Sequence, residues 1–143
     1  MKYALRGINA EELKFVKNNV QVAPNTRIGI KQSCNFGKIK ENDKLQAVVL
    51  EAKVESTEEA PSPFNMVARV VGVFEVEDVV TEEDKQILAV SMVELVYPYL
   101  RNVVSSLTFS AFIPPIVLPV RFPEQLIPGF QSGAAFETPE VLN

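Results

Sequence analysis

Two stretches in the middle of the chain alternate regularly between apolar and other residues. The first, residues 45–55, places Val48, Leu50, Ala52 and Val54 on one face, and the second, residues 64–76, places Met66, Ala68, Val70, Gly72, Phe74 and Val76 on one face. A period of two is that of a β-strand, because successive side chains point to opposite faces. An acidic, proline-containing linker, residues 56–63, lies between them. The pattern predicts a long antiparallel hairpin with one fully apolar face.

The opposite face of this hairpin is also partly apolar. It carries Val67, Val71 and Val73, interrupted by Arg69 and Glu75. A sheet that is apolar on both faces needs a cover on both. We expect a helix on one face, and a partner or a ligand on the other.

The pattern is weaker before the hairpin. Residues 13–22 predict a bulged strand, because the alternation slips at Asn18 and Asn19. Residues 26–33 predict a second short strand with Ile28 and Ile30 on one face. The charge-rich segment 34–44 predicts a surface loop with Phe36 tucked inward.

A long helix is predicted to follow the hairpin. Thr81 precedes three acidic residues, so its hydroxyl can cap free amides while the acids sit at the positive end of the helix dipole. Apolar residues from 87 to 107 spread over more than one stripe, which predicts one face on the sheet and one on a neighbour. Pro98 predicts a kink near residues 94–97 or two helical pieces.

Beyond the helix, residues 113–122 predict an extended, proline-rich crossover. The prolines and glycine at 123, 128 and 129 leave room for at most a helical turn or two. At 143 residues the chain fits a single domain, 1–143, in which we expect about the first 12 and the last 14 residues to be poorly ordered.

Charge and cysteine content narrow the classes of partner. A net charge of −4 with scattered Lys and Arg argues against nucleic acid. The single cysteine cannot form an internal disulfide, and the N-terminus lacks a signal-peptide core, so we expect the cytoplasm. Residues 102–120 carry no formal charge, but their serines and prolines argue against a membrane span.

The chain offers little material for catalysis. It contains no histidine, which excludes His-based triads and metal sites. Nothing near Cys34 would lower the pKa of its thiol, and adjacent acids at the helix start point in different directions. We expect no enzyme, no metal and no cofactor, so function is argued as binding.

The candidate binding residues are apolar, and core packing is the alternative explanation for them. For an apolar groove that binds peptide they are Ile28, Ile30, Phe36, Phe109, Phe112, Ile116, Leu118 and Phe122, and for an oligomer interface they are Val67, Val71, Val73, Tyr97, Leu100 and Val104. The apolar surface left over by one contact between sheet and helix predicts the oligomer.

Two short motifs resemble a known family. Tyr97-Pro98-Tyr99-Leu100-Arg101 on the helix, followed by Phe112 and then Pro119-Val120-Arg121-Phe122, is similar to the SecB protein-export chaperones over roughly residues 26–122. The resemblance implies an α+β fold, a four-stranded antiparallel sheet packed on one long helix with a proline-rich crossover, assembled as a homotetrameric dimer of dimers.

The resemblance also implies a function. Such chaperones hold unfolded secretory proteins in long apolar grooves without ATP and pass them to the SecA motor for export. By position, Ile28, Ile30, Phe112 and Phe122 match groove-lining places. The family's second helix is absent or shortened here, and no SecA-docking carboxylates can be assigned. Two functions therefore stay open: a holdase for client proteins, and an interaction protein for one partner such as an antitoxin or envelope-assembly factor.

Overall fold

The computed structural model describes residues 1–23 and 27–130. Along the chain it contains strands β1 (Lys2–Lys17), β2 (Lys31–Lys38), β3 (Leu45–Val54) and β4 (Phe64–Glu77), helix α1 (Glu82–Ser110) and a 3-10 turn (Glu124–Leu126). The strands form one antiparallel sheet in the order β1-β4-β3-β2. The predicted α+β architecture, a four-stranded sheet against one long helix, is confirmed.

The central hairpin is the part that the sequence pattern predicted best. β3 and β4 pair antiparallel as predicted, with Val48 opposite Gly72 and Leu50 opposite Val70. The even-numbered side chains that were predicted to share the apolar face, from Val48 to Val54 and from Met66 to Val76, are buried. Gly72 lies where the helix comes closest, because a Cβ there would collide with a methyl group of Val96. Glycine at this position therefore lets helix and sheet approach closely.

The first strand is much longer than predicted. β1 begins at Lys2, so the first dozen residues pair with β4 and are not poorly ordered, and it ends at Lys17 instead of continuing to residue 22. The register shifts between Leu5 and Gly7 and again between Ala10 and Glu12. Each bulge exchanges the faces to which later side chains point, which hides the alternation from sequence inspection.

The second strand is displaced from its prediction. β2 covers Lys31–Lys38, so residues 34–38 are strand and not loop, whereas Ile28 and Ile30 precede the strand. It is an edge strand in which Cys34 is the buried side chain and Phe36 is half-buried. Pairing with β3 outweighs the low strand propensity of its Asn and Gly residues.

Helix α1 begins where predicted. The Thr81 hydroxyl accepts a hydrogen bond from the Asp84 amide at 3.0 Å, with three acidic residues in the first turn. The helix is 29 residues long and continues without a break through Pro98, so the alternative of two helical pieces is wrong. The helix is long and apolar enough to cross a membrane, but the core helix of a soluble protein can have the same length and composition. In its most apolar window, 44% of the residues are buried.

The crossover returns along α1 without forming a strand. Its only regular structure in the described part, up to residue 130, is the 3-10 turn Glu124–Leu126, in line with the predicted turn or two. The expected poor order of the last 14 residues concerns positions that, from 131 onwards, lie outside the described residues.

Candidate binding surface

A row of polar side chains on α1 holds the crossover in place. Tyr97 Oη donates to the Pro119 carbonyl at 2.7 Å, Arg101 Nε to Leu118 at 3.2 Å and Ser105 Oγ to Ile116 at 2.8 Å, while Thr108 Oγ1 accepts from the Ile116 amide at 2.9 Å. Spacings of four, four and three residues put these four side chains on one stripe of the helix. The crossover therefore runs antiparallel to α1.

This row satisfies backbone groups that have no strand partner. A prolyl residue has no N–H, and buried carbonyls without a partner are costly. Because helix side chains supply the missing hydrogen bonds, the crossover can stay extended beside the helix. Tyr97 and Arg101, the residues of the five-residue motif that make these bonds, thus have a structural role.

The inner side of the crossover belongs to the core. Leu118, Phe122 and Ile127 are 2%, 6% and 4% exposed, and Phe122 packs edge-on against Tyr97 with ring centroids 5.5 Å apart. Both Leu118 and Phe122 were predicted to bind peptide. The structure corrects this for Leu118, which is enclosed in the core, whereas Phe122 is largely buried but also lines a pocket beside α1. The hydrogen-bonded row fixes the backbone at Ile116, Leu118 and Pro119, and Phe122 beyond it packs against Tyr97 of the helix.

Three predicted interface residues are also core residues. Tyr97, Leu100 and Val104 are 3%, 0% and 0% exposed within a single chain, so they cannot form an oligomer interface. Their stripe of the helix faces the sheet and the crossover. The apolar residues that α1 does expose are Leu95, Tyr99 and Phe109.

The outer side of the crossover is exposed and apolar. Phe112 is 98% exposed, Val117 70% and Val120 60%, and Phe109 at the end of the helix is 67% exposed. Ile116, another predicted contact, is half-buried against the core. No side chain from residue 102 to residue 120 carries a formal charge.

Two depressions lie along this side. Near the middle of α1 a pocket of about 350 Å³ is lined by apolar residues, among them Val93, Pro98, Val120 and Ile127, together with Glu94 and Arg121. At the C-terminal end of α1 an open groove of about 510 Å³ is lined by Phe109, Ser110, Phe112, Ile113 and Pro115. We call the exposed side between them, from Phe112 to Val120, the crossover track.

The remaining predicted contacts lie elsewhere. Phe36 lines a groove with Leu88 and Met92 near the start of α1. Ile28 and Ile30 line a more polar depression that includes Arg27 and Lys53. The structure therefore divides the predicted peptide site among separate places and joins only Phe109 and Phe112.

Sequence reasoning left Val120, Leu95 and Pro98 out of the candidate site. The one available signal was the row of hydrogen-bonding residues on α1, because a proline-rich crossover without a strand partner needs side chains that can bond its carbonyl groups. Crossover side chains on the opposite side are then exposed.

The outer face of the sheet carries the three predicted interface valines, Val67, Val71 and Val73, all partly exposed. Arg69 lies among them and contacts Glu51 at 2.7 Å and Glu11 at 3.3 Å. The hydrogen bond with Glu51 is the main reason why the pKa of Arg69 is raised. This cross-strand ion network divides the apolar face in two.

Cys34 is the only nucleophile that sequence inspection singled out. It is 5% exposed, and burial raises the pKa of its thiol to about 12. A protonated thiol is a poor nucleophile. Among residues 1–23 and 27–130, no group of three or more acidic or cysteine side chains could hold a metal ion.

The fold and the motifs agree with a family comparison. Residues 8–126 match the model of the preprotein translocase subunit SecB. The chain belongs to the SecB family. This match is longer than the resemblance found from the motifs, which covered roughly residues 26–122. It adds residues 8–25, which include most of β1, and residues 123–126.

Three similar proteins share 27% or less of their sequence with this chain. An uncharacterized protein of Methanocaldococcus jannaschii is 27% identical over 123 residues, 82% of this chain and 79% of that protein. The SecB-like chaperone Rv1957 of Mycobacterium tuberculosis, solved in complex with a ChAD peptide from the HigA1 antitoxin, superposes with a TM-score of 0.62 at 17% identity, covering 84% of this chain and 88% of that one. This likeness supports the fold. A Streptococcus agalactiae protein of unknown function superposes with a TM-score of only 0.41 at 10% identity, over 83% of this chain and 98% of that one.

Proposed function

We propose that this SecB-family protein is an ATP-independent holdase that binds extended, uncharged apolar segments of unfolded proteins along the crossover track. The observation that carries the proposal is the exposure of Phe112, Val117 and Val120 on a stretch that bears no charge. Monomeric soluble proteins seldom leave such a surface open unless it binds something.

The length of the track indicates the length of client that fits. The hydrogen-bonded row spans Tyr97 to Thr108, which at 1.5 Å per helical residue is about 17 Å. An extended chain advances about 3.3 Å per residue. The part of the track beside this row therefore accommodates about five residues in one continuous contact.

The apolar chemistry of the track favours binding of many client sequences over recognition of one. Apolar burial has no directional requirement, so aliphatic and aromatic side chains can hold many sequences. A charged client residue would lose hydration without gaining an opposite charge between residues 102 and 120. We expect selection against charge and little selection among apolar residues.

Aggregation of an unfolded, reduced client provides the test. Wild-type protein should suppress the light scattering of the client, and the double substitution Val117→Asp with Val120→Asp should remove most of the suppression. Val80→Asp is the matched control, because it charges a valine that is 80% exposed before the helix, away from the track. Equal suppression by all three proteins would exclude the crossover track as the client site.

A dedicated partner is the second candidate function. The SecB-like chaperone Rv1957 was solved with an antitoxin peptide, which supports a variant in which the same track holds one protein, such as an antitoxin or an envelope-assembly factor. Recovery of one stoichiometric partner, together with no affinity for unrelated unfolded chains, would favour this function over the general holdase. Delivery to SecA, export and a cytoplasmic location stay predictions.

We also infer that the protein self-associates through α1. Its exposed stripe Leu95, Tyr99, Asn102, Ser106 and Phe109 follows spacings of four and three residues and carries no charge. This heptad spacing is typical of packed helices. In an antiparallel pair centred on Asn102, Leu95 of one copy would face Phe109 of the other, and Tyr99 would face the small Ser106.

Cysteine cross-linking tests this pairing. In the Asn102→Cys protein we expect a disulfide-linked dimer on mild oxidation, while buried Cys34 stays unreacted. Glu83→Cys, exposed in the first turn of the same helix, is the control and should stay monomeric on a denaturing gel. A wild-type monomer by light scattering would contradict the inference.

A further inference from the structure

Helix α1 ends in a hydrogen-bonded cap that normally needs glycine. The Phe112 amide donates to the Phe109 carbonyl at 3.0 Å, and the Ile113 amide donates to the Thr108 carbonyl at 3.5 Å. These two bonds define a Schellman motif, in which the residue after the C-cap is left-handed. Ala111 is the C-cap, so Phe112 holds the left-handed position, with φ +61°.

Two features of Phe112 are unfavourable for folding. A bulky side chain in the left-handed region suffers a steric clash that glycine avoids. The ring is also 98% exposed, so it gains almost no packing that could offset the strain. Folding of the single chain gives no reason for phenylalanine at this position, and strain of this kind is typical of functional sites.

We propose that Phe112 is the principal anchor for client segments and that the strained cap serves to present its ring. The proposal rests on the proposed function and identifies the contact that dominates it. The left-handed turn directs the ring away from the core, beside the open groove with Phe109, Ile113 and Pro115. An apolar client side chain placed in that groove would pack against the Phe112 ring and against Pro115.

The size of the patch favours a peptide over a second copy of the chain. An aromatic side chain buries about 150–250 Å², so the Phe112 ring offers an area of that order. A stable protein dimer needs about 800 Å² on each partner. The absence of charge from residue 102 to residue 120 further restricts the occupant to an uncharged apolar segment.

Substitutions at one position separate strain from binding. Phe112→Gly and Phe112→Asn relieve the strain, since both residues accept left-handed geometry, and should raise Tm by about 2–5 °C. Phe112→Ala keeps the strain but removes the ring, so Tm should stay within about 1 °C. Phe112→Tyr keeps both the ring and the strain.

Binding is measured with a fluorescently labelled eight-residue peptide of Leu, Phe, Ser and Gly, by anisotropy. Gly, Asn and Ala at position 112 should each raise Kd at least tenfold, and Tyr should leave it within about twofold. Light scattering should show the same oligomeric state for all four variants.

Each other outcome overturns the inference. Unchanged peptide affinity in Phe112→Gly, with wild-type affinity intact, removes Phe112 as the anchor while the holdase function stands. Loss of the oligomer in Phe112→Ala would assign the ring to self-association. If the wild-type protein binds neither this peptide nor an unfolded reduced protein, the proposed function fails as well.

Discussion

The two sides of the crossover have similar composition, but one is buried and the other is exposed. Leu118 and Phe122 on the inner side are buried, whereas Val117 and Val120, their close neighbours in sequence, are 70% and 60% exposed. Hydrophobicity alone does not separate them. What separates them is the set of hydrogen bonds from Tyr97, Arg101 and Ser105, which fixes the rotation of the crossover about its own axis.

If the proposed function holds, one segment serves stability and binding at once. The inner side contributes core packing and holds the backbone rigid. The outer side presents apolar side chains on this support, and a client that bound there would lose less entropy because the backbone would not need to rearrange. The two roles should therefore respond to different substitutions.

The largest expected effect comes from the inner side. Leu118→Ala removes a side chain that is 2% exposed and should lower the free energy of unfolding by about 2–4 kcal/mol. Val117→Ala, the adjacent change on the outer side, should alter it by less than about 0.5 kcal/mol. Urea denaturation of both proteins measures the two values. Similar losses in both would mean that the two sides are not distinct.

The next effect concerns the outer side. Val120→Asp should weaken binding of an unfolded client about tenfold, or about 1.4 kcal/mol, because the carboxylate would lose hydration in the complex. The free energy of unfolding should stay nearly unchanged, since Val120 is 60% exposed. Titration calorimetry with a reduced, unfolded client gives the affinity. Stability loss without affinity loss would assign Val120 to folding.

The sequence predicted the central elements and missed the flanking ones for identifiable reasons. The hairpin and α1 have clear periods and an N-cap at Thr81, so their positions were predictable. β1 was not, because two bulges change its alternation, and β2 was not, because an edge strand of Asn, Gly and Lys residues has little apolar pattern. In each case pairing with a neighbouring strand decided the outcome.

The candidate site was predictable only in part. Phe109 and Phe112 are exposed, as a binding site requires, and their contact with a client stays a prediction. Leu118 and Phe122 could not be assigned, since an extended proline-rich segment has no fixed period that links sequence position to side-chain direction. Their direction depends on hydrogen bonds from a helix that lies up to 22 positions earlier in sequence.

The hydrogen-bonded row can be tested directly. Tyr97→Phe removes the donor to the Pro119 carbonyl and should lower the free energy of unfolding by about 1 kcal/mol. Tyr3→Phe is the matched control on β1, where the side chain is 39% exposed, and should have no measurable effect. If Tyr97→Phe also weakens client binding, the row positions the outer side as well as the inner one.

The smallest effect concerns Cys34, which tests whether the inner face of β2 excludes water. Burial raises the pKa of its thiol from 9.0 to about 12, so between these values the unfolded chain loses a proton that the folded chain keeps. Stability from this group is nearly constant below about pH 8 and falls as the pH rises through 9 toward 12. At pH 9.5 the free energy of unfolding should be lower by about 1 kcal/mol.

Comparison with Cys34→Ala isolates this contribution, because lysines and tyrosines titrate in both proteins. The wild type should lose more stability than Cys34→Ala between pH 8 and pH 9.5, by the amount above, in urea denaturation. Equal losses would mean that water reaches the thiol. The water-free core would then cover Leu118 and Phe122 but would not extend as far as Cys34 on β2.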